Sequence, residues 1–146
     1  MNPQIIMKET LTISGIMGDG NKTALLWDEF EKKSAEIENK TDENGYEIRF
    51  YYDDKCDCFV GHSVSNAAKL NASETLSLPA SEYAVFDVVV ANGYDSENET
   101  IDNWLKNNSE KYIERKLTNK SYVVECYSEK FENGIVEIWI PICKKQ

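Results

Sequence analysis

The chain has 146 residues, of which 41% are hydrophobic and 29% charged, enough to bury one core without disulfides or metal and too apolar for a disordered chain. Its 26 acidic and 16 basic residues leave a formal net charge of −10, which repels phosphate backbones and argues against direct contact with nucleic acid. Met1–Thr12 has no basic stretch leading into a long apolar run, and no segment approaches a membrane span. The expectation is one domain, residues 1–146, cytoplasmic and without a membrane partner.

Four cysteines (Cys56, Cys58, Cys126 and Cys143) are too few and too irregularly spaced for a disulfide framework. Cys56-Asp57-Cys58 with His62 raises the question of a metal, but C-x-C lacks the spacing of a zinc knuckle and His62 is the only histidine. No metal and no cofactor are expected.

In chain order, a β-branched strand is predicted over Gln4–Met17, ending at the turn Gly18-Asp19-Gly20. A helix follows over Lys22–Glu38, with Leu26, Trp27, Phe30, Ser34 and Ile37 on one face. After the polar loop Asn39–Gly45, two short strands are predicted at Glu47–Asp53 and Phe59–Ser65, joined through Asp54-Lys55-Cys56-Asp57. Asn66–Leu78 reads as a linker. The same order then recurs: a strand over Tyr83–Ala91, the turn Asn92-Gly93, a helix over Glu99–Leu117, and strands at Tyr122–Lys130 and Ile135–Cys143. Gly20 to Gly93 spans 73 positions, Trp27 to Trp104 77 and Tyr51 to Tyr127 76, a drift that loop lengths account for. The fold class is therefore α+β: two strand–helix–strand–strand units, about 3–66 and 76–144, related by a pseudo-twofold, with antiparallel sheets, a helix on each, and a groove between the halves.

The last hairpin bears on the groove. Ile138, Ile140 and Ile142 alternate with Glu137, Trp139 and Pro141, so the isoleucines are expected to face the helix-covered core. A two-residue Asn133-Gly134 turn would put Glu125 on the isoleucine face, a costly place for a carboxylate. A three-residue loop with Gly134 in the left-handed position pairs Tyr127 with Trp139 and gathers Glu125, Tyr127 and Trp139 on the opposite face. From the first half, Arg49 and Tyr51 are the counterparts of Glu125 and Tyr127, and Phe59, out of phase with Val60 and Val64, joins them. Trp27 is a further candidate if its helix overhangs the groove, while Trp104 is assigned to the core. Two readings of this face stand: a solvated surface with amphipathic aromatics, or a site for a flat cation held by aromatic faces and a carboxylate.

Three segments carry a family likeness. Tyr122-Val-Val-Glu-Cys-Tyr-Ser-Glu-Lys-Phe131 with Val136-Glu-Ile-Trp-Ile-Pro-Ile142 resembles the C-terminal signature of the gyrase-inhibitor-like effector-binding domains, which also end AraC-type and multidrug-responsive regulators. Ile48-Arg-Phe-Tyr-Tyr-Asp-Asp54 and Leu78-Pro-Ala-Ser-Glu-Tyr-Ala-Val-Phe86 resemble that family's first-half and mid-chain strands. The resemblance implies a groove for amphipathic, often cationic, organic molecules. It also implies a ligand-site glutamate at Glu125, with Tyr127 and Trp139 at aromatic groove positions. Arg49 departs from the small residue expected there, and an Arg49–Glu125 ion pair would blunt cation selectivity.

The leading expectation is a small-molecule-binding protein whose partner is a small amphipathic, cationic ligand, serving sensing or sequestration. A second is a hydrolase of strained electrophiles with Glu125 as base and Tyr51 or Tyr127 as acid. A third is a protein-interaction module. A nucleophile–His–acid triad is excluded because nothing around His62 supports one.

Overall fold

The computed structural model describes residues 2–65 and 74–145. Residues 66–73 of the expected linker fall outside them, and the rest of that linker is a strand. The described residues form strands β1 (Gln4–Lys8) and β2 (Leu11–Asp19), helix α1 (Thr23–Ser34), then β3 (Gly45–Tyr52), β4 (Lys55–Ser63), β5 (Glu74–Leu78) and β6 (Ser81–Val89). Helix α2 (Tyr94–Asn107) follows, then β7 (Tyr112–Glu114), β8 (Lys116–Leu117), β9 (Lys120–Tyr127) and β10 (Ile135–Lys144). The fold is α+β, as expected. The two sheets join into one antiparallel sheet in the order β1-β6-β10-β9-β3-β4-β2-β5, because β3 and β9 pair along their length. The long strands around each helix have matching neighbours, β2-β4-β3 and β6-β10-β9, although the short strands β7 and β8 intervene between α2 and β9.

The single strand expected over Gln4–Met17 is two strands. β1 crosses to pair with β6, while β5, just before β6, pairs with β2. The first helix ends at Ser34 rather than Glu38, although Ile37 beyond it is still buried against the α1 core. The second starts five residues before the expected Glu99 and stops at Asn107. Asn108 ends it with a non-helical backbone, and its side-chain amide donates to the Trp104 carbonyl. Tyr112–Glu114, read as helix, instead pairs with the end of β10, and Tyr112 stacks on Trp104. The β3–β4 loop is the two-residue Asp53-Asp54, both at positive φ (46° and 62°), the backbone of a tight hairpin turn.

Side chains alternate between two environments. On one face, Leu26 and Phe30 of α1 pack on Cys58 and Val60, and Ile101 of α2 packs on Ala84, Phe86, Ile138 and Ile140. On the other face no helix lies among the described residues. Ile48, Phe59, Tyr122 and Val124 are nonetheless buried there in one continuous cluster reaching from β2 and β5 to β6. A sheet face that is dry without a helix is covered by the sheet's own curvature. Gly15 and Gly61 are direct cross-strand partners in β2 and β4, and a Cβ on Gly15 would lie 1.8 Å from the Val60 carbonyl oxygen. That close backbone approach admits only glycine.

Among the described residues no helix is long and apolar enough to cross a membrane. Gly15→Ala should cost about 1–3 kcal/mol, since backbone rather than a flexible side chain must yield, read from the midpoint of denaturant unfolding. Trp139→Ala removes a buried indole packed between Tyr46 and Tyr83 and should cost about 3–5 kcal/mol, checked the same way.

Candidate functional site

Each helix covers its own half and leaves the β3–β9 seam open between them. A cleft of about 720 Å³ lies there. Its floor is the helix-side face of β3 (Glu47, Arg49, Tyr51), β9 (Val123, Glu125, Tyr127) and β10 (Ile138, Ile140). The residues of α2 one turn apart (Tyr94, Asn98, Ile101, Leu105) form one wall, and Thr23 at the start of α1 marks the other.

The register puts Glu47 directly opposite Glu125. Both are buried, at 3% and 8% exposure, and like charges facing across a strand pair repel. Arg49 bridges them. Its Nε donates to Glu47 Oε2 at 2.9 Å and to Glu125 Oε2 at 2.8 Å, and Nη1 donates to the Gly20 carbonyl at 3.2 Å. The remaining carboxylate oxygens are also occupied: Trp27 Nε1 donates to Glu47 Oε1 at 2.8 Å and the Tyr127 hydroxyl to Glu125 Oε1 at 3.2 Å. Two carboxylates therefore share one guanidinium. Burial first, and Glu47 second, push the Glu125 carboxyl from 4.5 up to about 7, against the pull of Arg49. Burial opposes the Arg49 charge, but the two glutamates outweigh it and hold the guanidinium protonated. Burial, then the charge of Glu125, raises the Tyr127 phenol, so it remains a donor.

Of the residues singled out from the sequence, Glu125, Tyr127 and Tyr51 line this cleft together, with Arg49 among them. Trp27 reaches it through Glu47 and packs edge-on against Tyr127. Trp139 and Phe59 do not line it. Both are buried on the opposite face, where the Trp139 indole N–H donates to Glu137 Oε1 at 2.8 Å. The correction has one cause. β9 and β10 are joined by the seven residues Ser128–Gly134, which include a short 3₁₀ turn, so Glu125 pairs with Ile138 and Val124 with Trp139. Compared with the three-residue loop, this register exchanges the faces of one strand relative to the other. The groove is thus on the helix side of the sheet, and the carboxylate sits among the isoleucines, made tolerable by Arg49. The structure also adds Glu47, Tyr94, Asp102 and Glu114 to the cleft. Glu47 shares its strand face with Arg49 and Tyr51, and the same alternation that selects Tyr51 selects it. Tyr94 was placed before the expected helix start, which hid it.

The metal question rests on Cys56, Cys58 and His62. Among the described residues, no three His, Cys, Asp or Glu side chains come together in a metal-binding group. The His62 Nδ1–H donates to the Asn44 carbonyl at 2.8 Å, and its ring packs on Phe30.

Residues 5–142 match the family model described as "integron-associated effector binding protein". The chain belongs to that family. No curated protein sequence matches it. Among solved structures, this effector-binding chain resembles SAV2435, determined with bound tetraphenylphosphonium, at a TM-score of 0.73 and 19% identity over 98% of this chain and 94% of that one. It also resembles a putative bacterial transcription regulation protein from Staphylococcus aureus MU50 at a TM-score of 0.68, with 19% identity over 97% and 98% of the two chains. The C-terminal domain of EcmrR aligns at a TM-score of 0.66, with 13% identity over 99% and 100%. These likenesses establish the fold, and they agree with the gyrase-inhibitor-like resemblance read from the sequence.

Removing one member of a buried charge group leaves the others uncompensated. Arg49→Met should cost on the order of 3 kcal/mol above pH ~8 and much less below pH ~6, where Glu125 takes up a proton. Urea unfolding at the two pH values measures it. In the native protein the raised Glu125 value has the same sign: its destabilising contribution is absent below the ordinary carboxylate value and complete above about 7.

Proposed function

We propose that the cleft binds amphipathic organic cations, so that the protein senses or sequesters a drug-like or metabolite cation. The observation carrying this reading is the floor of the cleft, where Glu47 and Glu125 share the single guanidinium of Arg49 and so leave an excess negative charge. Tyr51, Tyr94 and Tyr127 line the same space. Aromatic faces attract a cation, and a desolvated carboxylate neutralises it. Tetraphenylphosphonium bound to the similarly folded SAV2435 is a ligand of this class.

Arg49 does not abolish the preference, because one guanidinium cannot balance two carboxylates. Burial and the neighbouring Glu47, which raise the Glu125 carboxyl against the pull of Arg49, make binding pH-dependent. Near neutrality Glu125 carries a proton part of the time, and a cation entering the cleft displaces it. Tetraphenylphosphonium should therefore bind more tightly as pH rises toward about 7, by at most roughly tenfold per unit, and level off above it. Glu125→Gln should flatten that profile and weaken the cation by roughly tenfold to a hundredfold, while triphenylphosphine oxide, neutral and similar in shape, changes much less. Calorimetry across pH with both ligands decides. Equal losses for the two ligands would make Glu125 a shaping residue rather than a charge reader. Unchanged affinity for both would remove it from the site.

The hydrolase reading has one observation in its favour: a Tyr127 hydroxyl on a carboxyl poised near neutrality, the pairing general acid–base chemistry uses. Mass spectrometry of electrophilic ligands after incubation separates turnover from binding. Recovery of intact ligand supports a binding protein, and a hydrolysed product supports an enzyme.

A further inference from the structure

The cleft extends beyond Glu125. Its far end carries two more carboxylates, Glu114 of β7 and Asp102 of α2. Glu114 is half-buried, and burial with the charge of Asp102 raises its pKa while Lys116 opposes that rise. Among the described residues neither Glu114 nor Asp102 makes a direct ion pair, unlike Glu47 and Glu125 at the near end. Each end of the cleft thus carries a pair of carboxylates: Glu47 and Glu125 bridged by Arg49 at one, Glu114 and Asp102 at the other.

The register sets the spacing between them. Glu125 lies opposite Ile138 and Glu114 opposite Ile142, four residues along β10. At about 3.3 Å per residue the two positions are offset by about 13 Å. The cleft between them is lined by Ile101, Val123 and Ile140, an apolar wall with no charge to match.

We propose that the cleft takes dicationic ligands, elongated organic molecules whose two positive ends are joined by an apolar spacer. One end meets Glu47 and Glu125, and the other meets Glu114 and Asp102. The inference rests on the reading that the cleft binds organic cations, and adds to it a ligand length and a second charge. A spacer of hydrocarbon lies along the isoleucine wall, where it removes apolar surface from water. A monocation of equal length leaves the far carboxylates unmatched.

The test uses calorimetry on the full chain with three probes: decamethonium, its monocationic relative decyltrimethylammonium, and an ethylene-bridged bis(trimethylammonium), too short to span the cleft. Decamethonium should bind roughly fivefold or more tightly than the monocation, the worth of one partly exposed ion pair, and the short dication should show no such advantage. In the Glu114→Gln/Asp102→Asn variant the loss for decamethonium should exceed that for decyltrimethylammonium by about the same factor. Because the two ligands are compared on one protein, a general folding defect cancels from the ratio. An advantage that survives the double substitution, or no advantage in the unaltered protein, overturns the proposal. If the monocation binds and loses affinity in Glu125→Gln while decamethonium gains nothing, the dication inference falls and the cation-binding reading stands. If neither ligand binds, both fall together.

Discussion

At the seam between β3 and β9 two glutamates face each other across a pair of hydrogen-bonded strands, and one arginine holds them there. The rest of the cleft follows from this bridge. Without the guanidinium, two buried carboxylates on adjacent strands would oppose the pairing that joins the halves into one sheet. With it, the seam closes, yet the charge is only partly balanced. Burial, with the charge of Glu47 second, pushes the Glu125 carboxyl up to about 7, above the usual carboxylate range. The interaction that lets the sheet form also places two carboxylates and a guanidinium on the floor of the cleft.

The bridge is fixed by backbone pairing rather than by flexible loops. Glu47 and Arg49 alternate on β3, Glu125 and Tyr127 on β9, and the register brings all four to one face. Trp27, from α1, fastens the free oxygen of Glu47. Side chains placed by strand pairing are held in position by the sheet, and such preorganisation lowers the ordering cost of binding. The tyrosines at the rim, Tyr51 and Tyr94, are substantially exposed.

The architecture was largely readable in the chain. Strand alternation, the apolar stripes of the two helices and the order of elements led to the α+β arrangement, and the C-terminal segment pointed to its family. The errors trace to particular physics. The parity of the β9–β10 pairing depends on a connection whose 3₁₀ turn no alternation pattern announces, and a rule against carboxylates on an apolar face then favoured the wrong parity. That rule fails at Glu125 because an arginine on the neighbouring strand β3, 76 residues away in sequence, supplies the counter-charge. Trp139 and Phe59 were misplaced for the same reason. Helix ends were misread where tertiary pairing outweighed local preference: Tyr112–Glu114 continues a helical pattern, but the exposed end of β10 offers it hydrogen bonds.

The exchange of β1 and β5 bears on how the molecule comes apart. Each half lends the other its outermost strand, β1 going to β6 and β5 to β2. Neither half possesses a complete set of strands of its own, so separating them strips an edge from both and exposes backbone groups on each side. Loosening at the seam is therefore resisted at the two most distant edges of the sheet, and the halves are coupled into one cooperative unit. The same exchange carried out between two molecules would give an intertwined dimer with every native strand pair preserved.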